Sequence, residues 1–322
     1  MPAACLSRQV VVIGSANLDL TITASRLPRE GETVLGGELL LSNGGKGANQ
    51  AIAALKAGAE VRLMAKVGRD PFGDRICRDL VTAGLPANGL LRDESAPTGV
   101  ALIVVDRQGR NQIAVAPGSN QLLLPEAIEQ YEPFLASGTV MLAQLEIPVV
   151  TVERALQFAK VHGMMTILNP APASPLSDDL FRHIDLLTPN ETEAEALTGI
   201  AVSDLPSAAA AAKALLSRGP QAVIVTLGPQ GALLCTASIV RHLPAIPVEA
   251  VDTTAAGDAF NGALAAALAG KPRADVLGID RLRVLGDAIR FASAAGALAT
   301  TKRGAQESLP TKAEIERLLA AS

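Results

Sequence analysis

The alternation of hydrophobic and polar positions divides this chain into short apolar strands and helices joined by turns rich in glycine and proline. The first apolar run, Gln9–Ile13, is mostly β-branched and ends at Gly14, which predicts a buried strand. From residue 122 onward strands and helices alternate, and this alternation predicts a mostly parallel sheet with helices on both faces. The helices predicted in this part cover Pro125–Ala136, Pro148–His162, residues 175–182, Glu191–Leu197 and Ala208–Arg218. The strands predicted between them cover Thr139–Leu145, Met165–Leu168, Asp185–Leu187 and Ala222–Thr226.

Four further runs alternate loosely between hydrophobic and polar residues and form two pairs, each joined by a short turn. They are Leu20–Leu27 with Thr33–Leu41, and Gly99–Val105 with Gln112–Ala116. Two such pairs, inserted into a strand–helix chain, predict a small separate sheet formed by about residues 18–42 and 98–118. A lid over a cleft is a natural use for such a sheet. The sequence has no evident linker, repeat or low-complexity tract, so we expect one α/β domain over residues 1–322 that carries this lid.

Residues 252–258, with the sequence DTTAAGD, lie between the apolar run Pro247–Val251 and the Ala-rich run Ala259–Ala269. This order predicts a strand, a turn of small residues and a helix. Because Ala255–Gly257 carry almost no side chain, an anionic group can approach the backbone N–H groups at the helix start. Asp258 would repel a phosphate there unless it faces a second substrate with a proton to give up, such as a hydroxyl group. An aspartate near a helix start is also a common cap, and this segment alone leaves that structural interpretation open.

Polar residues follow most of the predicted strands in the second half of the chain. They are Glu146, Asn169, Asn190 with Glu193, Thr226 with Gly228 and Gly231, and the segment Asp252 to Asp258. Because the carboxyl ends of parallel strands share one edge of the sheet, we expect these residues to converge on one crevice. One polar residue after a strand is usually a cap or a turn former, but a whole set at one edge favours a ligand site.

Asn17 and Asp19 follow the first predicted strand and point the same way if the chain stays extended, since side chains alternate with a period of two. An amide and a carboxylate on one side could hold a polyol, because a carboxylate accepts hydrogen bonds from two neighbouring hydroxyl groups. Alternatively, Asn17 and Asp19 cap the loop, their short polar side chains forming hydrogen bonds to its backbone.

The segment from Ser42 to Gln50, SNGGKGANQ, precedes a helix predicted over Ala51–Ala57. It fails the phosphate-binding template G-x-x-x-x-G-K-[ST], because its lysine is followed by glycine and the first glycine of the template is absent. Its Gly-Gly turn instead brings the backbone, Lys46 and Asn49 close to something small. A flexible loop with a solvated lysine explains the segment equally well. The first strand also lacks the G-x-G-x-x-G dinucleotide fingerprint.

Composition excludes several function classes. The net charge is −4 and aromatic residues are only 2% of the chain, with no tryptophan, so neither nucleic acid nor an anionic membrane is an expected partner. Cys5, Cys77 and Cys235 are odd in number and lack the C-x-x-C spacing, which favours free thiols in a reducing compartment. The first apolar run is too short for a signal or a membrane span, so we expect a cytoplasmic protein.

Four segments together match a family pattern. They are the Gly-Gly-x-Gly-x-Asn stretch at 44–49, DTTAAGD at 252–258, the N-x-x-E of Asn190 and Glu193, and the TKRGAQ segment at 301–306. With these segments in order between about residues 10 and 315, the chain resembles the ribokinase-like (PfkB) carbohydrate kinases. The resemblance implies ATP-dependent phosphorylation of D-ribose at O5, giving D-ribose 5-phosphate and ADP. A kinase of 2-deoxyribose or of another sugar or nucleoside is the alternative within this class, and a non-catalytic sugar-binding protein on the same fold is the alternative outside it.

The resemblance also implies roles for individual residues. Asp258 would be the catalytic base, and the backbone of Ala255, Ala256 and Gly257 would form the anion hole. The residues matching the sugar site are Asn17, Asp19, Gly45, Lys46, Asn49 and Glu146, with Asp258. Those matching the nucleotide and Mg²⁺ site are Asn190, Glu193, Thr226, Gly228, Gly231, Gly257 and Ser293. Those matching a site for an activating potassium ion are Asp252, Thr254, Ala299, Lys302, Gly304 and Ser308.

Two further implications concern the surface of the molecule. In ribokinase-like enzymes the lid pairs with its twin, so the resemblance implies a homodimer. The segment Lys271–Gly286 is longer than the usual connection in this family, and it precedes Ser293, which makes the adenine side of the predicted site the part that departs most from the pattern.

Overall fold

A computed structural model describes residues 8–278 and 281–322 of the chain. Within these residues a nine-stranded sheet carries helices on both faces, and a separate four-stranded sheet lies beside it. The strands are β1 Gln9–Ile13, β2 Asn17–Thr23, β3 Leu39–Gly44, β4 Glu60–Gly68, β5 Leu90–Asp93, β6 Gly99–Val105, β7 Asn111–Ala116, β8 Val140–Ala143, β9 Met165–Leu168, β10 Leu186–Leu187, β11 Ala222–Thr226, β12 Ala232–Thr236 and β13 Val240–Leu243.

The helices follow the strands in the alternation that the sequence predicts. They are α1 Lys46–Lys56, α2 Pro71–Thr82, α3 Glu126–Gln130, α4 Glu132–Leu135, α5 Val149–Val161, α6 Asp178–Arg182, α7 Glu191–Thr198, α8 Leu205–Leu216, α9 Ala256–Leu268, α10 Arg273–Leu277, α11 Arg281–Thr300 and α12 Lys312–Ala321. No helix among the described residues is both long and apolar enough to cross a bilayer.

The large sheet has the strand order β13-β12-β11-β10-β9-β8-β1-β4-β5 and is parallel from β11 to β5. The pairings β11–β12 and β12–β13, at one edge of this sheet, are antiparallel. Strand β1 lies inside the sheet, between β8 and β4, and all five of its residues are buried. Its side chains alternate between two cores: Val10 and Val12 pack towards α1, α9 and α11, whereas Val11 and Ile13 pack towards α5 and α8. The mostly parallel, doubly covered sheet predicted from the sequence is therefore confirmed.

The small sheet has the order β3-β2-β6-β7, with β2 and β6 pairing in parallel at its centre. The second hairpin lies where the sequence predicts it, but the strands of the first differ in their bounds. Strand β2 begins at Asn17 rather than Leu20, and β3 covers Leu39–Gly44 rather than Thr33–Leu41. The reason is that β2 pairs with β6 along its whole length from Asn17 to Thr23, so the segment after β1 becomes strand almost at once.

Three other local predictions differ from the structure. The strand predicted over Pro247–Val251 does not form, because residues 244–250 have no strand pairing and the prolines at 244 and 247 cannot donate to a ladder. The helix predicted over Pro125–Ala136 is divided into α3 and α4 at Tyr131, just before another proline. Helix α1 begins at Lys46 rather than at Ala51, so the predicted glycine-rich loop is largely the first turns of a helix.

Candidate active site

Asp258 lies in the first turn of α9, where the backbone turns sharply before the helix. Ala255 precedes the helix with φ of 58°, in the left-handed region, and no side chain in the described part of the chain caps the helix start. The first N–H groups of a helix have no partner within it, so they remain available to an anion. A Cβ added at Gly257 would have no described atom within 4 Å beyond its chain neighbours and its own helix backbone, so there is open space beside these groups. The turn therefore combines available donors with room for a phosphate-sized group.

Both carboxylate oxygens of Asp258 accept hydrogen bonds from α1. Asn49 Nδ2 donates to Oδ2 over 3.0 Å, and Gln50 Nε2 donates to Oδ1 over 2.9 Å. All three side chains are buried. An aspartate that only capped its own helix would bond to the backbone there, so these bonds across the molecule favour a role in a site over the capping interpretation.

Glycine is required where α1 meets the end of β1. A Cβ at Gly47 would lie 2.5 Å from the carbonyl carbon of Gly14, and one at Gly45 would lie 2.8 Å from the backbone nitrogen of Asn17. Gly45 also has φ of 86°, a conformation that side chains disfavour. These close approaches place Lys46 and Asn49 beside the strand that carries Asn17.

Asn17 and Asp19 lie on β2 and point to the same face of the small sheet, as the period of two predicts. Asn120 Nδ2 donates to Asn17 Oδ1 over 2.7 Å, so the Asn17 amide presents its own N–H groups to the crevice. A Cβ at Gly44 would lie 2.2 Å from Asp19 Oδ2, which means that the missing side chain makes room for the carboxylate.

The charges of the site lie close enough to perturb one another. Burial, with the nearby carboxylates of Glu146, Glu307 and Asp258, raises the pKa of Asp19 to about 6. Burial alone would lower the pKa of Lys46, but Asp258, Glu146 and Glu193 outweigh that effect and raise it. Lys46 is therefore a charged ammonium group among several carboxylates.

Glu146 follows β8, and its carboxylate binds the first residue of α1. Its Oε2 accepts from Ser15 Oγ over 2.5 Å and from the backbone nitrogen of Lys46 over 3.0 Å. The carboxylate therefore connects the loop after β1 to the first residue of α1. The structure thus brings together all the side chains predicted for the sugar site.

Asn190 and Glu193 form a capping box at the start of α7. Asn190 Oδ1 accepts from the backbone nitrogen of Glu193 over 2.8 Å, and Glu193 Oε2 accepts from the backbone nitrogen of Asn190 over 2.9 Å. Burial raises the pKa of Glu193, although the hydrogen bond from Asn190 and the charge of Lys46 oppose the rise. Asn190 also forms a parallel bridge with Thr226 at the end of β11, which brings the N-x-x-E motif beside the predicted nucleotide loop.

That loop is a short 3₁₀ turn over Gly228–Gln230 between β11 and β12. Gly228 has φ of 48°, and a Cβ added there would meet no atom within 4 Å, whereas a Cβ at Gly231 would lie 2.2 Å from the carbonyl oxygen of Leu243. Ser293 lies on α11. It lines a cavity of about 680 Å³ together with Arg241, Ile246, Arg283 and Arg290, among others.

The predicted potassium-site residues meet where the segment before α9 contacts the end of α11. Asp252 Oδ1 accepts from Thr254 Oγ1 over 2.6 Å, and Asp252 Oδ2 accepts from the backbone nitrogen of Gly304 over 3.1 Å. Ala299 and Ser308 are buried nearby in the chain, and Ser308 Oγ donates to the carbonyl oxygen of Ala305 over 2.9 Å. The side chain of Lys302 instead forms an ion pair with Glu314, so only its backbone could serve a cation.

Comparison with known proteins adds an independent observation: the model of the pfkB family of carbohydrate kinases matches residues 7–312. The chain belongs to this family. It is 39% identical over 314 residues to a ribokinase of Haemophilus influenzae, covering 98% of this chain and 99% of that protein. It is 40% identical over 257 residues to a deoxyribokinase of Salmonella typhimurium, covering 80% and 84% of the two proteins.

Solved structures of family members are similar over nearly the whole chain. A ribokinase from Thermotoga maritima has a TM-score of 0.85 at 36% identity, with 98% of this chain and 99% of that one covered. An Arabidopsis thaliana ribokinase complexed with ribose and ATP has a TM-score of 0.87 at 29% identity, with 98% and 100% covered. The family and fold inferred from the motifs are confirmed.

In this pfkB-family chain the sequence motifs miss several buried polar residues next to the site. Gln50, Gln144 and Asn261 are buried within the hydrogen-bond network around α9, and Asn120 orients the Asn17 amide. Their partners are up to 208 residues away in the chain, so no local pattern marks them. Cys77 and Cys235 form no disulfide, as predicted, and Cys5 lies outside the described residues.

Proposed function

We propose that this chain transfers the γ-phosphoryl group of ATP to O5 of D-ribose, producing D-ribose 5-phosphate and ADP. The observation that carries the proposal is the position of Asp258. It lies in the first turn of α9, beside backbone N–H groups that have open space next to them. Each of its carboxylate oxygens accepts a hydrogen bond from a side chain of α1. A base and an anion site side by side are what transfer to a hydroxyl group requires. The ribokinases among its relatives support ribose as the acceptor.

In the proposed reaction the O5–H bond breaks and Asp258 accepts the proton. A bond forms between O5 and the γ-phosphorus, while the bond from that phosphorus to the leaving oxygen of ADP breaks. The backbone N–H groups of Ala255–Gly257 stabilise the charge on the transferring group. Lys46 adds a fixed positive charge to a crevice otherwise rich in carboxylates.

The sugar would lie between the two sheets. Asp19 and the N–H groups of Asn17 face the crevice from β2, and Asn49 faces it from α1. Together they offer acceptors and donors to the hydroxyl groups of a pentose. Deoxyribose is the second candidate, because a deoxyribokinase is 40% identical to the chain over 257 residues.

We infer that Mg²⁺ enters with ATP near Asn190 and Glu193. Among the described residues, Asn190 alone donates hydrogen bonds to the Glu193 carboxylate, which therefore has further lone pairs; this fits a carboxylate that holds the water around such an ion. Mg²⁺ would supply charge neutralisation at the phosphates. The nucleotide base would lie towards Ser293 and the cavity of about 680 Å³.

We also infer a potassium site at Asp252, Thr254 and the carbonyl oxygens around Ala299, Lys302, Gly304 and Ser308. The oxygen donors and the ionised carboxylate fit a hard cation. Burial would raise the pKa of Asp252, but hydrogen bonds from Thr254 and Gly304 outweigh burial and keep it low. The cytoplasm remains the expected compartment, which the free thiols Cys77 and Cys235 support.

The small sheet supports the proposal of a lid that pairs with a second copy. It exposes large hydrophobic side chains on both faces: Leu40, Ile113 and Val115 share the face of Asp19, and Ile22, Leu39 and Leu102 lie on the other. A lone sheet that exposes so much apolar surface is typical of an interface. We propose a homodimer formed through this sheet.

The deciding experiment measures ADP release from MgATP with D-ribose, 2-deoxy-D-ribose, adenosine and fructose 6-phosphate, each with and without potassium. We expect turnover that is selective for ribose and stimulated by potassium. Turnover with another acceptor but not ribose would keep the kinase and reject the sugar assignment. If none of the four acceptors gives ADP release but calorimetry shows that ribose binds, a non-catalytic sugar-binding protein would be favoured.

A further inference from the structure

A row of buried side-chain amides ends at Asp258. It consists of Asn169, Gln50 and Gln144, and we call it the amide relay. Gln50 Nε2 donates both to Asp258 Oδ1 and to Asn169 Oδ1, the latter over 3.0 Å. Gln144 Nε2 donates to Gln50 Oε1 over 2.6 Å. Gln50 and Gln144 are fully buried and Asn169 is 7% exposed.

A backbone carbonyl determines which way every amide of the relay points. Asn169 Nδ2 donates over 3.0 Å to the carbonyl oxygen of Thr188, which can only accept. Asn169 must therefore present its oxygen Oδ1 to Gln50, and Gln50 must donate to that oxygen from Nε2. The Gln50 oxygen is then left facing Gln144, which must donate in turn.

The same logic leaves one atom at the far end of the relay without a partner. Gln144 Oε1 is buried and has no hydrogen-bond partner within residues 8–278 and 281–322, and it faces Gly14, where a Cβ would lie 2.1 Å from it. An unpaired buried oxygen costs free energy of about 1–3 kcal/mol. Its presence is the consequence of an orientation that keeps an N–H group of Gln50 directed at Asp258.

We propose that Gln50 is a positioning residue for phosphoryl transfer, which directs Asp258 Oδ1 into the protein so that Oδ2 faces the acceptor hydroxyl. Oδ2 lies on the side of Asn49, the α1 residue that faces the crevice. Because Gln50 is fully buried, it acts through Asp258 and does not touch the sugar. This inference rests on the proposed function in that Asp258 is taken as the base.

Two substitutions test it. Gln50→Leu removes the hydrogen bond, and Gln50→Glu keeps the shape and the acceptor for Gln144 but places a second carboxylate against Asp258. We expect kcat to fall about 10- to 100-fold in both variants, the cost of a misplaced catalytic group, while KM for the sugar changes less than about threefold. In Gln50→Glu the acidic limb of the pH–kcat profile should also move to higher pH, because two adjacent carboxylates share a proton.

Gln130→Glu, the same substitution at an exposed position of α3, is the matched control and should behave as wild type. Kinetics use whichever acceptor the wild-type protein phosphorylates best, so a wrong sugar does not affect the test. Crystal structures of Gln50→Leu and wild type give a readout independent of turnover: the Asp258 carboxylate should rotate away from Asn49 in the variant. An unmoved carboxylate, or a kcat and pH profile equal to those of Gln130→Glu, would overturn the role of Gln50. Failure of wild type to turn over any sugar rejects the proposed function instead, and the crystal structures alone then decide whether Gln50 positions Asp258.

Discussion

Asn49 and Asp258 are 209 residues apart in the sequence, yet Asn49 Nδ2 lies 3.0 Å from Asp258 Oδ2. This bond joins the two most distinctive motifs of the chain, the glycine-rich start of α1 and the DTTAAGD turn before α9. A residue proposed to hold the sugar thus touches the residue proposed to take its proton. The groups proposed for sugar binding and for proton acceptance therefore belong to one hydrogen-bonded unit.

Asp258→Asn tests the base with little change of shape. The amide cannot accept a proton at neutral pH, so we expect kcat to fall about 10²- to 10⁴-fold. Ribose binding, measured by calorimetry, should persist. Turnover equal to wild type would remove Asp258 from the role of base, whatever sugar is used.

Asn17→Ala separates ribose from deoxyribose. An amide that donates to a hydroxyl of the 2,3-diol should contribute about 1–3 kcal/mol to ribose recognition, so kcat/KM for ribose should fall roughly tenfold or more. Deoxyribose should lose much less. Equal losses for the two sugars, with Asn120→Ala measured in parallel because it orients the same amide, would contradict the assignment.

Asp19 predicts a pH dependence of sugar binding. Its pKa is raised to about 6 in the sugar-free protein, mainly by burial, and the ionised form is the better acceptor. Ribose affinity should therefore be constant above about pH 7 and fall as the pH drops through 6. Isothermal titration at pH 5 to 8 measures this, and an affinity independent of pH would contradict the role of Asp19.

The raised pKa of Asp19 also affects the stability of the fold, which should decrease over the pH range in which ribose affinity increases. Because the folded protein holds the Asp19 proton more tightly than the unfolded chain does, stability falls as the pH rises from about 4 towards 6. The cost at pH 8 is of the order of 2–3 kcal/mol. Asp19→Asn should remove it and raise the melting temperature at pH 8 relative to wild type, while weakening ribose binding. A lower melting temperature in the variant would show that the charge is not destabilising.

We expect the ion pairs of Asp185 to contribute to the free energy of unfolding and not to catalysis. Its side chain is fully buried before β10, at the edge of the sheet opposite the site, and Arg273 of α10 donates to it from Nη2 over 2.7 Å and from Nε over 3.0 Å. Lys160 forms a second ion pair with it. Burial would raise the pKa of Asp185, but the hydrogen bonds from Arg273 and Lys160 lower it. Arg273→Met should therefore cost about 1–3 kcal/mol in urea unfolding at pH 7, since one partner remains.

Two observations check that interpretation. The deficit of Arg273→Met should shrink in acid, because the contribution of a carboxylate with a lowered pKa is lost as the pH falls. Its kcat and KM should match wild type, because Arg273 pairs with Asp185 before β10, whereas the proposed site residues follow the carboxyl ends of the strands. Unchanged unfolding at pH 7 would mean that α10 is held by other contacts.

Ile113→Lys tests the proposed dimer. Ile113 is 57% exposed on the small sheet, whereas Leu124, 48% exposed, lies outside that sheet and offers a matched control. We expect sedimentation to show a dimer for wild type and Leu124→Lys and a monomer for Ile113→Lys. A monomeric wild type would reject the interface.

The sequence predicts most of the fold because its signals are local. The β-branched run of β1 and the small residues before α9 each determine their own conformation, and both elements form where predicted or within a few residues. The strand expected over Pro247–Val251 failed because strand formation needs a partner, and a run of apolar residues does not say whether one is present. The sequence does not predict the roles of Gln50 and Gln144 for a related reason. Each resembles an ordinary polar residue in its own element, and only the fold brings them to Asp258.

Three residues separate the last residue of β1 from the first residue of β2. Asn17 and Asp19 are therefore part of the small sheet, and whatever restrains that sheet also restrains these two proposed sugar-binding side chains. For the proposed dimer, a change in ribose affinity on dimerisation and a change in dimer affinity on ribose binding would then be one coupling free energy, equal in both directions. Ribose titrations at protein concentrations above and below the dimer dissociation constant would measure that single quantity from either side.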